Sequence, residues 1–231
     1  MENKIIVSCV HAGNQVPLKY VSIFKNHRKL LNSHYGFDPG SLKLAICIAR
    51  KIKTPLYLSK TTRLLIELDC SLTNKPYLFS KIANNLDKKV KQEIIDNYYG
   101  PFYRKIESLI NKFLKRKQSA THLVVHSFAP RLSGSVRDAD IGILYNPRIK
   151  KERALAEKWI TLLKKELPNF NIRKNYPYQG IEDGIVQHLR KKFSGSNYFG
   201  LEIEVNNKHL KGKATKLHEI IALTFQQAIK T

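Results

Sequence analysis

Two rhythms of apolar and polar positions alternate along the chain. Short apolar runs closed by turn or polar residues predict strands at 5–10, 55–59, 64–68, 123–126, 141–145 and 198–205. Between them, apolar residues recurring every three or four positions predict helices at 42–52, 87–98, 102–117, 151–167, 183–193 and 215–229. In the third of these, Ile106, Leu109, Ile110, Phe113 and Leu114 form one stripe, the face that a helix turns to a core. Strands alternating with helices predict an α/β layered sheet. No repeat, low-complexity segment or linker divides the 231 residues, so 1–231 reads as a single domain.

That order of elements directs attention to the residues just after strands, because ligands of an open α/β sheet gather beyond the carboxyl ends. His11 follows the first strand in "CVHAGNQVP", where Gly13, Asn14 and Pro17 explain the turn and leave the histidine unexplained. His126 and Ser127 close "HLVVHSF". Glu202 and Glu204 in "GLEIEVNN" alternate with apolar residues, which places both on one face of a strand. Asp38 lies in the loop "SHYGFDPG" that leads into the helix at 42. Two histidines and several carboxylates at strand edges are the donor types of a divalent metal site.

Composition narrows the classes. Hydrophobic content of 42% is that of a globular protein. Cys9, Cys47 and Cys70 are an odd number without CxxC spacing, so neither a disulfide framework nor a cysteine-rich zinc module is expected, and the chain reads as cytoplasmic. No apolar window has the length of a membrane span or of a signal peptide. A formal charge of +23 raises nucleic acid as a partner. The basic groups "KNHRK", "KFLKRK" and "RIKKER" are dispersed, however, and no nucleic-acid module accompanies them. They read as solvated helix faces, or as a field that attracts a small anionic substrate.

Six blocks, "HAGNQVP", "TTRLLIELDCSL", "VVHSFAP", "VRDADIGILYNP", "IRKNYPYQGIEDG" and "YFGLEIEVNN", resemble in order those of the N-formylglutamate amidohydrolase family, from residue 5 to about residue 207. The resemblance implies a mixed sheet sandwiched between helices, similar in fold to the zinc carboxypeptidases. It further implies one zinc ion held by His11, His126 and a carboxylate, for which Asp38 stands in the matching loop. His34 is an alternative or supporting group. Asn14 occupies the place of the peptidases' glutamate, three residues after the first histidine, and offers no charge. Iron, cobalt or nickel would accept the same donors.

The same resemblance assigns Glu204 the proton transfers of amide hydrolysis and Arg63 the polarisation of the scissile carbonyl. Arg137 and Arg173, with Asn175 and Tyr176 as neutral donors, are the candidates to meet the carboxylates of N-formyl-L-glutamate, whose hydrolysis to formate and glutamate belongs to histidine catabolism. One block departs from the family pattern, which carries an asparagine and an arginine before "SL". Here Asp69 and Cys70 stand in their place. The loss of a planar cation points to a different acylated amino acid or peptide, to another cation in its place, or to reduced activity. A basic binding protein on a degenerate hydrolase scaffold is the alternative from another class.

Overall fold

The computed structural model describes residues 2–132, 134–212 and 214–230. In chain order its strands are β1 (Asn3–Cys9), β2 (Leu56–Leu58), β3 (Ser119–Phe128), β4 (Arg131–Leu132), β5 (Ser135–Val136), β6 (Ile141–Leu144), β7 (Ile172–Lys174) and β8 (Tyr198–Asn206). Its α-helices are α1 (Arg28–Leu31), α2 (Ser41–Ile52), α3 (Lys75–Leu78), α4 (Lys88–Ile94), α5 (Gly100–Lys115), α6 (Lys150–Glu166), α7 (Ile185–Lys192) and α8 (Thr215–Ile229). Six strands form one mixed sheet in the order β2-β1-β3-β8-β6-β7, and β4 and β5 make a separate hairpin. β2, β1, β3 and β8 run parallel, while β6 is antiparallel to β8 and carries β7 parallel to itself. The expected mixed sheet between helices is what the chain forms.

β3 shows how the two layers are specified. All ten of its residues are buried, as expected of a central parallel strand covered on both faces. Leu123 and Val125 join the core beneath α2, α6 and α8, whereas Ala120 and Val124 join the core beneath α5 and α7. On β8, Leu201, Ile203 and Val205 belong to the first core, so Glu202 and Glu204 occupy the opposite face. His126 shares that face and pairs in register with Glu204.

Three expectations are corrected. Residues 64–68 are not a strand. Leu64, Leu65, Ile66 and Leu68 are buried as their run suggests, but the chain there turns: Leu65 N–H donates to Thr62 O and Glu67 N–H to Leu78 O. A continuous apolar run reports burial, and this one packs under the α5 side of the sheet without joining it. The helices expected at 87–98 and 102–117 are not separated at Gly100 and Pro101. α4 passes through a π-helical turn, Ile95–Tyr99, directly into α5, with Pro101 at the start of that helix, where its missing N–H is tolerated. The helix expected from 183 starts at Ile185. β7, unforeseen, is a three-residue edge strand in which only Ile172 is buried, too little pattern to detect.

Two buried polar groups hold the layers in place. Glu152, fully buried on α6, accepts a fork from Arg190 of α7 (2.9 and 2.8 Å) and the amide N–H groups of Gly200 and Asn146 (both 2.8 Å). Arg190→Ala leaves that carboxylate charged without its cation. It is expected to cost about 3–5 kcal/mol in denaturant unfolding, a loss that Arg190→Lys recovers in part.

His122, on the site-bearing face of β3, lies between Ser8 Oγ (2.7 Å) and the Tyr198 hydroxyl (3.2 Å). Burial, with the Arg190 charge added, pulls its imidazole down to about 3. The folded value is thus below the unfolded one of about 6.5. Below about pH 6.5 the unfolded chain takes up a proton that the folded chain refuses, so stability falls with pH from there down to about 3. By about pH 4.5 this group alone removes about 2–3 kcal/mol. His122→Gln is expected to lose that much less between pH 7 and about pH 4.5, as read by urea unfolding at the two pH values.

Candidate active site

β1 ends at Cys9, and the chain carries His11 two residues past the sheet, with Ala12 N–H on Ser59 O. The His11 carbonyl then accepts the Asp38 N–H (3.0 Å), which draws the "YGFDPG" loop beneath the histidine. Gly40, at φ +87° before α2, closes that loop; a Cβ there would stand 2.4 Å from Leu210 Cβ. Asp38 is 2% exposed. Its Oδ2 accepts the Ser127 N–H (3.3 Å) at the carboxyl end of β3 and faces His126 Nδ1 at 3.0 Å and His11 Nδ1 at 3.4 Å. The backbone thus brings His11, Asp38 and His126 together from three distant segments.

All three are buried, and one donor atom from each lies within 4.8 Å of the others. His11 Nδ1 has no hydrogen-bond partner, although the side chain is nearly inaccessible. The other ring nitrogens meet acids: His11 Nε2 meets Glu67 Oε1, and His126 Nε2 faces Asp69 at 3.6 Å and Glu202 at 3.7 Å. His11 thus presents one nitrogen to a shared point and holds a carboxylate with the other, as metal ligands do, whereas His126 Nε2 makes no hydrogen bond to the acids it faces and is a second unsatisfied imidazole nitrogen. The donor set, two imidazoles and one carboxylate with an unsatisfied nitrogen between them, fits a zinc-type ion. A second group, Asp69, His126 and Glu202, shares His126 but is less buried.

The electrostatics follow from the same contacts. Burial alone would raise Asp38, yet the His11 and His126 imidazoles and the Arg63 guanidinium hold it well below the carboxylate range. Burial pulls His126 down, but its hydrogen bond to Asp38 and the charges of Asp69 and Glu204 carry it well above the ordinary histidine value. Glu204 is displaced upward, chiefly by burial, with Asp38, Glu202 and Asp69 adding like charge; its Oε2 has no partner. Glu202 is raised by burial and by Asp69. Gly142 of β6 lies opposite Glu204, and a Cβ there would stand 1.6 Å from the Tyr176 carbonyl oxygen. Glycine therefore lets the 175–180 loop close against the sheet beside the glutamate.

Glu67, which the sequence pattern did not single out, is central. It accepts from Arg63 Nε (2.7 Å), touches His11 and accepts the Asp69 N–H (2.9 Å). Burial would raise its carboxyl, but Arg63 and His11 hold it far below the usual range. Arg63 completes the cluster by donating to Asp38 Oδ1 (3.3 Å). Its spacing of four from Glu67 was the available signal, hidden by the strand-like run at 64–68. His34 Nδ1 stands 3.9 Å from Asp38 Oδ1, and burial brings its imidazole down to about 4. Asn14 turns away and donates to Leu31 O and Asn32 Oδ1.

A cavity of about 450 Å³ opens over these groups, lined by His11, His34, Asp38, Arg63, Glu67, His126, Glu202 and Glu204 and walled by Asp69, Cys70, Asn74, Tyr77, Tyr178, Glu182 and Asp183. Four expected substrate residues do not line it. Arg173 is exposed and paired with Asp138 (3.0 Å) over the Tyr176 ring. Asn175, at φ 49°, accepts the Tyr145 and Gly180 N–H groups and so shapes its loop. Tyr176 packs edge-on against Phe128. Arg137 stands behind Tyr178 and donates to its hydroxyl (3.1 Å). Cys70 is 2% exposed, and burial and the nearby Asp183 push its thiol up to about 12, far from a nucleophile's state.

Residues 3–210 match the sequence model of the N-formylglutamate amidohydrolase family. The crystal structure of gene product Atu2144 from Agrobacterium tumefaciens superposes with a TM-score of 0.79 at 23% identity, over 97% of this chain and 91% of that one. The N-formylglutamate amidohydrolase from Ralstonia eutropha JMP134 superposes with a TM-score of 0.71 at 14% identity, over 98% and 93%. Both likenesses are of fold. A comparison with curated proteins returned no match.

Proposed function

Since the chain belongs to the N-formylglutamate amidohydrolase family, a family of hydrolases, we propose that it is a zinc-dependent amidohydrolase that cleaves the C–N bond of a small N-acyl amino acid, with N-formyl-L-glutamate as the substrate the family implies. The observation that carries the reading is the buried group His11, Asp38 and His126, with an unsatisfied imidazole nitrogen, at the floor of a cavity that Glu204 also lines. An ion held by these three would supply Lewis acidity to the amide carbonyl and acidity to a water molecule.

The chain's own groups supply the rest. Glu67 holds the far nitrogen of His11 and fixes its ring orientation, while Asp69 and Glu202 place negative charge beside that of His126 without a hydrogen bond. Glu204 Oε2, buried and without a partner, takes the proton of the attacking water and returns it to the leaving nitrogen. Its raised affinity for a proton suits it to both transfers. The Arg63 side chain, still 28% open while tied to Glu67 and Asp38, meets the charge that develops on the carbonyl oxygen. A cytoplasmic setting goes with three free thiols.

A second reading, another acylated amino acid, is favoured by the absence of an arginine at Cys70 and, among the described residues, of any arginine but Arg63 along the cavity. The test is elemental analysis of protein purified without a histidine tag, together with release of amine from a panel of N-formyl and N-acetyl amino acids. About one zinc per chain with turnover is expected. A protein that neither binds zinc nor hydrolyses any member of the panel with zinc added would refute the proposal.

A further inference from the structure

The wall of the cavity has the wrong sign for a dicarboxylate. The chain carries 41 Lys and Arg against 18 Asp and Glu, and several acids outside the cavity meet a lysine: Glu93 pairs with Lys19, Glu157 with Lys174 and Glu107 with Lys192. Asp69, Glu182, Asp183 and Glu202 all line the cavity, and among the described residues none of the four has a lysine or arginine within ion-pair distance. They come from three segments, which the fold places around one cavity. Asp183 is fixed against the opposite loop, its Oδ2 accepting the Ser71 N–H (3.0 Å) and Asn74 Nδ2 (2.9 Å). Asp69 Oδ1 accepts the Ile185 N–H (2.9 Å), which leaves Oδ2 toward the cavity and His126.

Independent of this wall, Glu204 is 95% buried and lines the same space with Oε2 unpartnered. An open acceptor next to the wall adds to its negative field, whichever donor, water or substrate, it meets. Of the arginines a second substrate carboxylate could meet, Arg63 is held by Glu67 and Asp38 and Arg173 by Asp138; Arg137 has no carboxylate partner and a free Nη1, but it donates to the Tyr178 hydroxyl and does not line the cavity. Unpaired carboxylates facing an acyl dicarboxylate would repel it, whereas the same groups would hold an ammonium with charge-assisted hydrogen bonds.

We propose that the substrate of this cavity is an N-acylated diamino acid, whose ammonium is received by Asp69, Glu182, Asp183 and Glu202 on the wall beside His126. This rests on the amidohydrolase reading and specifies its substrate class. The reaction is unchanged: water adds to the acyl carbon, the C–N bond breaks, and the leaving nitrogen takes a proton.

The test compares N-formyl-L-ornithine, N-formyl-L-norvaline and N-formyl-L-glutamate on the zinc-loaded protein. The ornithine derivative is expected to exceed norvaline in kcat/KM by about tenfold or more, and glutamate by a wider margin. Asp69→Asn and Glu182→Gln are each expected to lower the ornithine-to-norvaline ratio, Asp69→Asn by about tenfold. Binding is read separately, by calorimetry with L-ornithine and L-glutamate, so that the charge preference of the wall is measured even where turnover is absent. Tighter binding of ornithine, weakened in Asp69→Asn, supports the assignment. Hydrolysis or binding that favours glutamate, or ratios unmoved in both variants, overturns it and leaves the amidohydrolase reading standing. Absence of all hydrolysis, with ornithine still preferred in binding, would count against the hydrolase and in favour of the cationic ligand.

Discussion

Glu204→Gln is expected to fold, to bind zinc as the parent does, and to lose about 10²–10⁴-fold in kcat. The substitution keeps the shape of the side chain and removes only its capacity to take and return a proton. Shape is the sensitive quantity here, since Glu204 sits on a central strand between His126 of β3 and Gly142 of β6. Burial and the neighbouring acids raise its proton affinity; the amide, without that charge, relieves the repulsion and is expected to leave stability unchanged or higher. The measurements are single-turnover rates, zinc content and the urea midpoint of parent and variant. Undiminished turnover removes Glu204 from proton transfer. Turnover lost together with zinc would instead identify Glu204 as a ligand.

The sequence disclosed the parts of this site that lie at ends of regular elements. His11 and His126 were legible because each closes an apolar run that needs no histidine, and Glu204 because charge alternating with apolar residues marks one face of a strand. Glu67 was not, because its neighbours Leu64, Leu65, Ile66 and Leu68 form a run whose burial is real and whose conformation is a turn. Read as a strand, it offered no reason to join Arg63 to Glu67 or Glu67 to His11. The family pattern drew attention to Asp69 and Cys70 but supplied no partners for them. The partners, Glu182 and Asp183, lie more than a hundred residues away in a loop with no periodicity of its own, and the overall charge of +23 hides a local excess of acid. Arg173 and Asn175 show the converse: the structure places them outside the cavity lining. Residues that suit a substrate carboxylate chemically are occupied by a salt bridge and by backbone amides that only tertiary structure reveals.

His126→Ala is expected to abolish zinc retention, lowering affinity by about 10³-fold or more, because it removes the one residue common to both candidate donor groups. The buried Asp38 keeps its Arg63 and Ser127 contacts, so the variant should fold and show the loss as absent metal after dialysis. Removing His126 does not discriminate between the two possible donor groups, since both contain it. Asp38→Ala and Glu202→Ala do. If zinc sits on the Nδ1 side, between His11 and His126, Asp38→Ala should strip it while Glu202→Ala, which removes no hydrogen bond from His126, should leave it in place. The order reverses if zinc sits on the Nε2 side with Asp69 and Glu202. Glu67→Gln supplies the cross-check, because Glu67 touches His11 alone of the two histidines. A loss of about 10–100-fold there, with Asp69→Ala leaving zinc in place, points to His11 as a ligand, because Glu67 also accepts the Asp69 N–H; His11 belongs only to the group that contains Asp38.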